Sequence, residues 1–77
     1  MKNWLRFHYG HWLSTNQNPP QWNEEGIVYI DPNTITHVAT INNIPNGCIV
    51  YVNSEKNHII VNKNITEVMA EIQYSLK

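Results

Sequence analysis

The sequence predicts an α+β fold: a small antiparallel β-meander of four or five strands with one C-terminal α-helix packed on the sheet. Three observations predict it. Short runs of β-branched and aromatic residues, at 27–30, 35–41, 48–53 and 58–62, are separated by polar and turn-forming residues. After Asn64 the apolar spacing lengthens, and Ile65, Val68, Met69, Ile72 and Leu76 recur at the three- and four-residue steps of a helical stripe. The chain of 77 residues has room for one domain, since folding units run from about 50 to 250 residues.

Residues 1–13 read as an aromatic N-terminal strand, with Leu5, Phe7 and Tyr9 on one side and Trp4, Arg6 and His8 on the other. The alternation breaks at Gly10, as it does at a bulge, and His11, Trp12 and Leu13 continue beyond it. Residues 14–26 read as a loop. They show no period, contain Pro19-Pro20 and are punctuated by Trp22, and a connection of that length points to function. Residues 27–62 form the β-meander. Asp31-Pro32-Asn33 divides its first two strands, and Pro45-Asn46-Gly47 is the expected turn, because glycine accepts positive φ and proline fixes the corner. Ser54–Asn57 joins the strand from Cys48 to Asn53 to an antiparallel neighbour from His58 to Asn62. A helix over 65–75 follows, with Asn64 as N-cap and Glu67 as its capping partner.

Composition narrows the function classes. Charged residues make up 14% of the chain, twelve asparagines take their place, and the formal charge is −1. An extended nucleic acid is therefore a poor partner, since affinity for a polyanion grows with the number of phosphates neutralised. No apolar run approaches the roughly 20 residues of a membrane span, and Met1–Tyr9 lacks a secretory apolar stretch, so a cytoplasmic location is expected. Cys48 stands alone and can form no internal disulfide. So small a body, without staples, is expected to self-associate as a homo-oligomer.

Two segments carry a likeness to a known family. Val28-Tyr29-Ile30-Asp31-Pro32-Asn33-Thr34-Ile35-Thr36-His37-Val38, and Ile59-Ile60-Val61-Asn62-Lys63-Asn64-Ile65-Thr66-Glu67-Val68 with Glu71-Ile72, resemble the small flagellar FlbD and swarming-motility SwrD proteins. The first is similar to that family's strand, Asn-Pro corner and isoleucine, the second to its terminal strand and helix entry. The resemblance covers residues 27–72, and Ser54–Asn57 stands where the family has a glycine turn. It implies a non-enzymatic accessory protein with motility as its setting.

Catalytic signatures are missing. Three glycines, Gly10, Gly26 and Gly47, make no phosphate loop, and there is no nucleophile elbow or His-Glu-x-x-His pair. Ser54, Glu55 and His58 flank an exposed turn that offers no enclosure for a triad. His8, His11, His37, His58 and Cys48 are ligand types for zinc, but their spacing scatters them over separate elements or opposite strand faces, so neither a metal nor another cofactor is expected. Cys48 reads as a buried spectator thiol.

The feature least required by a core is the opening third. Trp4, Arg6, His8, Tyr9, His11, Trp12 and Trp22 gather all three tryptophans with the only arginine, the residue types that dominate binding hot spots. The expected function is a non-enzymatic binding protein, a regulator or inhibitor that occupies a partner protein through these residues. The alternative is binding or sequestration of a small planar, nucleotide-like ligand at a subunit boundary, with rings stacking on it and Arg6 and His8 meeting its charge.

Overall fold

The computed structural model describes residues 4–13, 20–53 and 57–76. Five antiparallel strands form one sheet closed by a single helix: β1 (Leu5–Leu13), β2 (Gln21–Ile30), a 3-10 turn (Pro32–Thr34), β3 (Ile35–Ile41), β4 (Ile44–Val52), β5 (His58–Val61) and α1 (Ile65–Ser75). The sheet order is β2-β1-β5-β4-β3. Strands β3, β4 and β5 thus run as a meander, and the β1–β2 hairpin is added beside β5.

This order forces the sheet to curl. Strands β2 and β3 lie at opposite edges, about 19 Å apart in a flat five-stranded sheet, yet one 3-10 turn joins them. With a rise of about 2 Å per residue over the steps from Ile30 to Ile35, that link spans roughly 10 Å. Asp31 caps the turn, its Oδ1 accepting from the Asn33 amide at 3.0 Å. The Thr34 carbonyl accepts from the Asn53 amide at 2.8 Å, which ties the turn to the end of β4.

The core is built on one face. Leu5, Phe7 and Ile30 from the hairpin meet Cys48, Val50 and Val61 from the meander and Val68 and Ile72 from the helix. The helix begins and packs as its periodicity requires. Asn64 Oδ1 accepts from the Glu67 amide at 2.9 Å, and Asn64 Nδ2 donates to Glu67 Oε1 at 2.9 Å. Burial pushes the Cys48 thiol up to about 11, as befits a spectator in an apolar floor.

Three expectations are corrected. Residues 27–62 are not one meander: Ile27–Ile30 belongs to β2, which pairs with β1 at the edge opposite β3, because the core it shares with Leu5 and Phe7 lies on the hairpin side. Residues 21–26 are not loop but the first half of β2, and 14–19 lie outside the described residues. This stretch carries no apolar period because it is an edge strand, paired on one side only, with Trp22 opposite Trp12 and Asn23 opposite His11. Pro45-Asn46-Gly47 is not the turn either, since it lies inside β4. The hairpin turns at Asn42-Asn43, where Asn43 takes φ 67°, a conformation asparagine tolerates. Gly47 is required instead for close approach, because a Cβ there would come within 2.7 Å of Trp12 Nε1.

Candidate functional site

Strand β1 positions five of the seven residues singled out above, Trp4 stands just before it, and Gly10 divides them. At Tyr9/Gly10 the β1–β2 register shifts, leaving Glu25 without a partner on β1. A Cβ on Gly10 would overlap the Asn23 carbonyl oxygen, so the bulge needs glycine. Trp4 and Trp12 lie eight residues apart along the chain, roughly 26 Å if extended, so the seven residues do not converge on one site.

The distal group is tied up within the hairpin. Trp12 and Trp22 pack as a tilted cross-strand pair, centroids 5.1 Å apart, and both indole N–H groups are buried without a hydrogen-bond partner among the described residues. His11 Nδ1 lies 3.0 Å from Glu25 Oε2. His8 Nδ1 lies 3.1 Å from Glu24 Oε1, within ion-pair reach but off hydrogen-bond alignment. The Tyr9 ring covers Gly26, at 3.1 Å from where a Cβ would stand. His8 therefore answers to Glu24 and is absent from the groove that Arg6 lines, so the expected Arg6–His8 phosphate pair does not form one wall.

The proximal group faces outward. Trp4 is 42% exposed and borders two depressions. The larger, of about 530 Å³, is lined by Trp4, Leu5 and Arg6 from the start of β1 and by Ala70, Glu71, Tyr74 and Ser75 from the helix. The smaller, of about 310 Å³, runs along Val28–Asp31 to Thr34, Val52 and Ile59. Tyr74 and Tyr29, 79% and 57% exposed, stand beside Trp4 on these walls. Glu71 is held by Lys63, whose Nζ is 2.7 Å from its Oε2, while Arg6 has no ion-pair partner among the described residues. The first depression is thus an aromatic groove with one unbalanced cation.

Neither Tyr29 nor Tyr74 was among the residues expected from the sequence. Both left a signal: Tyr74 falls off the helix's apolar stripe, and Tyr29 alternates against Val28 and Ile30. A second unforeseen feature is the row His37, Tyr51 and His58 across β3, β4 and β5. The His37 and Tyr51 rings stack with centroids 4.1 Å apart, and the Tyr51 and His58 rings tilt at 5.5 Å. Strand register assembles this row from residues far apart in sequence.

Among the described residues no three His, Cys, Asp or Glu side chains are grouped to hold a metal ion. No helix among them is long and apolar enough to cross a membrane. Compared with protein-family models, curated proteins and solved structures, the chain matches none.

Proposed function

We propose that this chain is a small non-enzymatic binding protein that regulates or inhibits a partner protein by occupying it, and that it self-associates. One observation carries the proposal: Trp4, Tyr29 and Tyr74 stand in water around one end of the sheet while none of the three tryptophans joins the core. Large rings held on a strand and a helix keep their shape before binding, and Trp, Tyr and Arg supply most of the energy of known interfaces. The mechanism is steric and needs no turnover. The cytoplasm is its expected place, and motility machinery, the setting the resemblance implies, is the first place to seek the partner.

The test is capture of the partner from an extract followed by titration with the purified pair. Trp4→Ala with Tyr74→Ala is expected to weaken binding by about 30-fold or more, on the ~2 kcal/mol scale of a hot spot. Trp12→Ala with Trp22→Ala, in protein that still folds, should change it little. Equal binding by wild type and the Trp4/Tyr74 variant overturns the proposal.

The groove's volume favours the small-ligand reading as runner-up, since small-molecule pockets run from about 300 to 1,000 Å³. Arg6 alone would meet the ligand's charge. A nucleotide panel that leaves Trp4 fluorescence unchanged ends that reading.

A further inference from the structure

The walls of the larger groove identify what kind of segment fits it. Trp4 stands just before β1, Leu5 and Arg6 open it, and side chains on a strand alternate between faces. Leu5 and Arg6, on opposite faces, border one depression where it wraps around the strand's edge. Among the described residues that edge is unpaired: β1 meets β5 at one pair, Tyr9 with Val61, and the chain then leaves the sheet to begin the helix. The opposite wall, Ala70, Glu71, Tyr74 and Ser75, is one side of α1. The groove therefore lies between a free strand edge and a helix.

We infer that this groove takes an extended peptide segment of the partner, added as a strand along Trp4–Arg6, with an apolar side chain between Trp4 and Tyr74 and a carboxylate against Arg6. The inference rests on the protein-binding function proposed above and names its chemistry. Unpaired backbone N–H and C=O groups on a strand edge are satisfied by another extended backbone, and pockets beside the edge select alternate side chains. Charge selects the acid. Lys63 already neutralises Glu71, leaving Arg6 as the groove's unbalanced charge.

The experiment is selection of displayed random heptapeptides against the intact chain, followed by titration of the selected peptides. The expected peptides alternate apolar residues with Asp or Glu. Arg6→Glu should weaken them at least tenfold, Tyr74→Ser should weaken them by a similar factor, and both variants should keep the wild-type melting temperature. N-methylation of alternate peptide amides should abolish binding in one register, and hydrogen exchange should slow on binding at whichever of Leu5 and Arg6 points its amide away from β2. Selection of no peptides or of basic ones, indifference to Arg6→Glu, or unchanged exchange at the one of these two amides that faces away from β2 overturns the inference. A folded partner that loses affinity with Trp4→Ala and Tyr74→Ala, while no peptide is selected, would overturn strand addition alone and leave the proposed function standing.

Discussion

The two halves of the β1–β2 hairpin draw on similar residues and end in different surroundings. Between Leu5 and Tyr9 the hairpin places Leu5, Phe7 and Ile30 in the core. Between Gly10 and Leu13 the same strands set Trp12 against Trp22 and His11 against Glu25, and no residue of that half enters the core. What differs is what lies beneath. The proximal half rests on the helix and the floor of Cys48, Val50 and Val61, while the distal half has its own partner strand and the approach to Gly47. Aromatic content therefore does not decide burial; the element across from the ring does.

The largest effect that separates the halves is a core deletion. Phe7, 1% exposed, should lose about 3–5 kcal/mol on Phe7→Ala, whereas Trp12→Ala should lose about 1–2 kcal/mol, both read by denaturant unfolding. Equal losses would mean the distal half is core after all. Next is the divide itself: Gly10→Ala must move the β2 backbone at Asn23, with an expected loss of about 1–3 kcal/mol and altered Trp12–Trp22 fluorescence.

A pH effect belongs to the proximal floor. The Cys48 thiol is pushed up to about 11 by burial, so above about pH 9 the unfolded chain releases a proton that the folded chain keeps. Stability should fall as pH rises through this window, and Cys48→Ala should flatten the slope. The smallest stability change is expected at Trp4→Ala, within about 0.5 kcal/mol, since nearly half of that side chain already meets water.

Much of this was legible in the residues. The helix was readable to its ends because Asn64, Glu67 and the apolar stripe all signal one start and one period. The bulge at Gly10 was readable from broken alternation. Strand β2 before Gly26 was not, because an edge strand with water on both faces needs no apolar period, and its polar residues imitate a loop. Pro45-Asn46-Gly47 misled because glycine can serve close approach as well as turning, and the indole that demands it comes from β1. The candidate site was half legible. Trp4 and Arg6 stood out by type, but their neighbours on α1 lie more than sixty residues away in sequence, and only the sheet order brings them together.

Acrylamide quenching of tryptophan fluorescence tests the division most directly. A Trp12→Phe, Trp22→Phe double variant keeps only Trp4, and Trp4→Phe keeps only the distal pair. The account predicts that Trp4 quenches several-fold more readily than the pair. Quenching of Trp4 no faster than that of the pair would contradict it.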